Sequence, residues 1–189
     1  MTAFDLNKEL EYVNHSREHR QYYARLVIDN PDLLPQVLDL AFDVNNRKSC
    51  KAALLLEFIV REDLYAILPY LNRITSNMAQ IHFDAAVRPI AKICECLIEA
   101  FYSKIENPVQ TALTKTQRER IIEQSFDYLI GDYAIAPKAY GMTNLFRLGY
   151  EFDWIHPELI LILERNYAHG SAGYKVRAGR ILNILKNDN

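Results

Sequence analysis

Apolar residues recur at spacings of three and four along nearly all of this chain, and Pro, Asn and Gly cut the recurrence at short intervals. That period is helical, because one face of an α-helix returns every 3.6 residues, and no stretch alternates apolar and polar residues as a half-buried strand would. A short amphipathic helix is expected around Phe4, Leu6, Leu10 and Val13, and Ser16 is placed to cap a second helix from about Arg17 to Asp29. Asn30-Pro31 ends that helix, since the residue before Pro is pushed out of the helical region. A third helix follows through Leu33, Leu34, Val37, Leu38, Ala41 and Phe42, then a turn at Asn45-Asn46, then a strongly apolar fourth helix capped by Ser49 or a neighbour. A fifth is expected from Leu64 to about Ile81, kinked where Pro69 removes a donor. The sixth and longest begins at Asp84 and runs to about Lys104.

The second half repeats the pattern. Asn107 to Thr114 is the one sizeable connection, and Thr114 or Thr116 opens a seventh helix that ends at Gly131-Asp132. Pro137 suits the first turn of an eighth, with Gly149 as its C-terminal cap; Pro157 opens a ninth to about Tyr167; Gly170 and Gly173 precede a last helix through Val176, Ile181 and Leu185. About ten helices with short connectors make a stack of helical hairpins, an all-α chain read as a single domain over residues 1–189.

Composition agrees and narrows the function. Half of the residues are apolar, which excludes a disordered chain, and only six are Gly, which disfavours a turn-rich β architecture. A formal charge of -2 gives no general attraction to polyanions, so nucleic acid is not an expected partner without a local basic stripe. Cys50, Cys94 and Cys96 form neither a disulfide framework nor a zinc ribbon and read as buried free thiols of a reducing compartment. The N-terminus lacks the basic and apolar regions of a signal peptide, and no apolar run approaches the roughly 20 residues that span a bilayer. A cytoplasmic protein with no membrane segment is expected.

Aligning the second helix of each hairpin brings Arg20, Lys51, Arg88, Lys138 and Arg177 into register, each followed within four positions by a small residue that lets helices approach closely. The steps between them, 31, 37, 50 and 39 residues, centre on the roughly 40 to 47 of two-helix repeats. Asp84-Ala-Ala-Val87-Arg88-Pro-Ile-Ala91, and more weakly Lys175-Val176-Arg177-Ala178, resemble the second helix of a HEAT repeat. The resemblance to the HEAT and armadillo superfamily implies a right-handed αα-superhelix of about five hairpins, with a concave surface lined by the second helices. It also implies that the Asp and Arg of that motif join adjacent repeats.

Four patterns bear on chemistry. His15-Ser-Arg-Glu18-His19 spells the inverted zinc-protease motif, with Glu95 downstream as a third ligand, but the sheet of such enzymes is missing and Ser16 as a cap would leave His15 outside the helix. His169-Gly-Ser-Ala-Gly-Tyr-Lys175 resembles in part the mobile Ser-rich loop of the fumarase and adenylosuccinate lyase superfamily, whose Met-Pro and Asn-Pro elements are absent; a turn before the last helix explains it as well. Asp153, Trp154, Arg177 and Arg180 match in residue type the damaged-base site of HEAT-like alkylpurine DNA glycosylases, while Trp154 also reads as a core or hairpin-packing residue. Twelve tyrosines supply amphipathic core residues and candidate interface anchors.

The expected function is therefore a non-catalytic scaffold that binds a protein or peptide in a concave groove, or pairs with itself, with neither cofactor nor metal. Arg20, Lys51, Arg88, Lys138 and Arg177, with Tyr22, Tyr140 and Tyr174 beside them, are expected to line or brace that groove. Cations in series favour an acidic extended ligand. The competing expectation is a DNA-binding protein of the glycosylase type, ahead of a zinc-dependent hydrolase or a lyase.

Overall fold

The computed structural model describes residues 6–13 and 16–187, and every regular element among them is helical. Helix α1 (Leu6–Glu9) and a 3-10 turn at Leu10–Tyr12 occupy the first amphipathic stretch; its Phe4 end, and Asn14 and His15 after it, lie outside the described residues. Helix α2 (Arg17–Asp29) starts as expected at Ser16, whose side chain accepts from the His19 N–H. It stops at Asn30, whose Nδ2 donates to the Leu26 carbonyl at 2.9 Å and occupies an acceptor that the helix end would leave open. Pro31–Leu33 then forms a 3-10 turn that leads directly into α3 (Leu34–Ala41).

Helix α4 (Lys48–Glu62) corrects one expectation: Ser49 is not its cap but lies buried inside it, and Asn46 Oδ1 accepts from the Lys48 N–H at 3.0 Å instead. The expected fifth helix is broken into a 3-10 segment Leu64–Tyr70, helix α5 (Leu71–Asn77) and a 3-10 turn Met78–Gln80. Pro69 is the cause, because it cannot donate into an α-helical ladder, and the chain holds tighter 3-10 geometry until the ring is passed. Helix α6 (Asp84–Phe101) ends short of Lys104. Asn107 Nδ2 takes the Ala100 carbonyl at 2.8 Å and Gln110 Nε2 takes that of Phe101 at 3.3 Å, so side chains from the following connection terminate it.

That connection contains a single turn, α7 (Val109–Ala112). Helix α8 (Lys115–Ile130) opens with a reciprocal capping box between Thr114 and Gln117, and α9 (Ile135–Leu148), α10 (Ile155–Tyr167) and α11 (Ala172–Asn187) complete the chain. Gly149 follows α9 as expected, yet with right-handed backbone, so conformational freedom is not why it is Gly. A Cβ there would sit 2.0 Å from the His156 ring, whose Nε2 is 2.9 Å from the Phe146 carbonyl oxygen; the glycine makes room for that ring.

By its internal contacts the chain divides into two compact units, Met1–Cys96 and Leu97–Asn189. In the first, α4 packs on α2 and α3 around fully buried Val27, Leu38, Leu55, Leu56 and Ile59. In the second, α8 packs on α9, and α11 on α9 and α10, around Ile121, Met142, Leu145, Leu159 and Leu163. Each of these side chains contributes about 1.5–3 kcal/mol on burial, which the polar faces of the same helices cannot match. Cys94 is buried beside the Met78 sulfur at 3.7 Å, and desolvation pushes its thiol up to about 12, so it behaves as a small apolar residue. Cys50 and Cys96 are in no disulfide and only half-buried, less enclosed than expected.

Candidate functional site

The five cations in register each meet a group of the chain itself. The Arg20 guanidinium lies 4.5 Å from the Phe58 ring centroid, and its Nε donates to the Ser16 carbonyl at 3.3 Å. Lys51 Nζ donates to the Glu11 carbonyl at 2.8 Å, and Lys138 Nζ to that of Gly131 at 2.9 Å. Arg88 donates to Glu57 Oε2 at 2.7 Å while Arg61 takes Oε1 at 2.6 Å, so both oxygens of this buried carboxylate are matched. Arg177 donates to Thr143 Oγ1 at 2.6 Å. Each of the five cations thus makes a contact to another helix or turn, which is a bracing geometry.

Of the eight residues expected at a groove, the structure brings Lys138 and Tyr174 together on one cavity of about 400 Å³, with Tyr133, Ile135 and His169. Tyr174 is buried, and its hydroxyl has no hydrogen-bond partner among the described residues. Burial pushes its pKa up, and the Asn166 side chain pulls the other way without completing a hydrogen bond. Tyr22 is exposed and meets Tyr23 edge to face, whereas Tyr140 is half-buried on α9.

A second concavity in the same unit has a different character. Trp154, at the end of the α9–α10 connection, stacks on Phe126 of α8 with ring centroids 5.6 Å apart and planes 20° from parallel, yet remains 55% exposed. This corrects the reading of Trp154 as a core residue: it rests on a ring but faces solvent. Phe152 and the buried Ile122 complete an apolar floor, and the cleft measures about 490 Å³. Glu119, Glu123 and Asp127, all exposed on α8, line the same cleft. None of these three carboxylates has an ion-pair or hydrogen-bond partner among the described residues. Beside it, Lys115 Nζ lies 5.7 Å from the Phe152 centroid, so a cation of the chain already uses one aromatic face.

The remaining motifs do not converge. His15 lies outside the described residues; Glu18 is exposed, the His19 ring Nδ1 is 3.3 Å from the Tyr12 carbonyl oxygen, and Glu95 is buried against Lys92 at 2.6 Å. Among the described residues no three His, Cys, Asp or Glu side chains are grouped to hold a metal ion. In the His169 to Lys175 stretch, Ser171 Oγ accepts from the Tyr174 N–H at 3.3 Å and Gly170 leaves space for the Tyr174 ring, which accounts for the Gly-Ser pair as the start of α11. Asp153 and Trp154 line different cavities, and neither Arg177 nor Arg180 lines either of them.

Glu119, Glu123, Phe126, Asp127 and Phe152 escaped the sequence reading. A signal was present, since the acids fall four apart on one helical face, but that spacing alone describes any solvated face. The exposed tryptophan distinguishes this one. The described chain is thus all-helical and compatible with a helical-repeat superfamily. No family model, curated protein or solved structure matches it.

Proposed function

We propose that this protein is a non-catalytic binding module that holds a segment of a partner protein on the aromatic cleft of its second unit. The observation that carries the reading is Trp154, a large side chain 55% exposed and backed by a parallel ring. A stacked indole is held rigid in advance, so little conformational freedom is lost when a partner covers it, and such aromatics dominate the energy of protein contacts. Under the same reading the hairpins are HEAT-like repeats of a right-handed superhelix. Two contacts support this: Arg88 of α6 reaches Glu57 of α4, and Arg177 of α11 reaches Thr143 of α9. Each ties a second helix to the second helix of the preceding hairpin, as the HEAT resemblance implies for its arginine. An acidic ligand lying along the cation series has less support, because each cation already has a contact within the chain.

An array of immobilised peptides of varied composition, probed with the wild-type protein and with Trp154→Ala, tests the proposal. The expected result is a set of peptides bound by the first and lost by the second, with both equally helical by circular dichroism. An array bound alike by both proteins, or by neither, overturns it.

A further inference from the structure

We infer that the segment seated on this cleft is basic and extended, with Arg or Lys at alternate positions; the inference rests on the cleft being a docking site. Charge complementarity is the first argument. Glu119, Glu123 and Asp127 carry three negative charges on the cleft with no ion-pair partner among the described residues, and its other lining side chains are apolar. An acidic or neutral segment would leave those charges repelled or unmet, whereas a basic one pairs with them where the rings exclude part of the water.

The second argument is the cost the chain bears. Like charges four residues apart on a helix repel and lower its stability, and α8 places two such pairs in succession, Glu119 with Glu123 and Glu123 with Asp127. By contrast, the buried carboxylate Glu57 of the first unit is met on both oxygens. A same-sign stripe beside an exposed tryptophan is what a surface presents when the countercharge comes from another molecule.

The third argument is register. Along α8, four residues rise about 6 Å, so the carboxylates stand about 6 Å apart over roughly 12 Å. In an extended chain alternate side chains share a face and are about 6.7 Å apart, a close match to that spacing. The rings then serve the same ligand. A guanidinium is planar and stacks on aromatic faces, and Lys115 over Phe152 is the chain's own instance of a cation on this surface.

Three peptides of equal length test the inference, with Arg at alternate positions, Gln in their place, or Glu in their place. Trp154 is the only tryptophan, so its emission reports occupancy of the cleft directly. The alternating Arg peptide is expected to shift that emission saturably and to bind at least about tenfold tighter than the Gln peptide, with affinity falling as salt rises. Glu123→Lys, at an exposed position of α8, is expected to abolish the preference while its helicity by circular dichroism stays that of the wild type. Comparable binding of the Arg and Gln peptides, or an Arg preference that Glu123→Lys leaves unchanged, overturns the basic assignment. On the array, Trp154-dependent peptides without enrichment in Arg or Lys overturn this inference alone, while an array without Trp154-dependent peptides overturns the docking site as well.

Discussion

Glu57 of the first unit and the three cleft carboxylates of the second stand in opposite conditions. In the first, Glu57 is 1% exposed, with Arg61 on one oxygen and Arg88 on the other. In the second, Glu119, Glu123 and Asp127 stand in solvent with no partner among the described residues, beside a tryptophan that is also exposed. A buried carboxylate without counterions is too costly to persist, so its matching arginines belong to the architecture. Exposed carboxylates need no match for folding, and a run of them that repels itself points outward. Matched charge braces this molecule, and under the proposed docking reading unmatched charge marks where it meets another.

The largest expected effect breaks the first half of that comparison. Arg61→Met with Arg88→Met leaves Glu57 buried and unpaired, and urea or guanidinium unfolding should show a loss of about 3–5 kcal/mol. A loss below about 1 kcal/mol would mean that water reaches Glu57 and that the clamp is not a brace.

A smaller effect tests whether the second unit also contains an architectural carboxylate. Burial pushes the Glu151 pKa up, but the Arg118 hydrogen bond, the Tyr102 hydroxyl at 2.5 Å and the charges of Arg118 and Lys115 outweigh it and hold the group below the ordinary carboxylate value. A lowered folded pKa means that the stabilisation is complete above the unfolded value and is lost as pH falls through the folded one. Unfolding midpoints should therefore decline on acidification below the usual carboxylate range, and less steeply in Glu151→Gln. Equal acid sensitivity in the two proteins would remove Glu151 from the matched class. Its partly exposed side chain makes this effect smaller than the Glu57 clamp.

The smallest effect has the opposite sign. Glu123→Gln relieves both repulsive pairs on α8 and should raise stability by about 0.2–0.5 kcal/mol while weakening the binding of a basic peptide. Lower stability in this variant would show that the carboxylate is matched after all, which would erase the contrast between the units.

Local physics made much of the fold readable in advance. Ser16, Thr114 and Gln117 act within one turn of a helix end, and Pro69 breaks the ladder at its own position, so their consequences could be read from neighbouring letters. Ser49 misled because a cap and a buried helical serine look alike until the packing of α4 is known. Gly149 was placed correctly for the wrong reason, since its cause is the His156 ring seven positions away.

The site was less legible for the same reason. Periodicity placed Arg88 and Arg177 on the helices whose contacts they brace, because register along a helix is a local property. The partners that turn those cations inward, Glu57 and Thr143, come from other helices, and only packing reveals them. Trp154 shows the limit most plainly: its type and position are in the sequence, but its stacking on Phe126 and its exposure depend on where α8 and the α9–α10 connection meet. The sequence by itself determined an all-helical chain with several of its caps and breaks, since those follow from interactions within a few residues. Tertiary structure alone decided which charges are matched and which aromatic ring faces outward, because burial is set by neighbours that are distant along the chain.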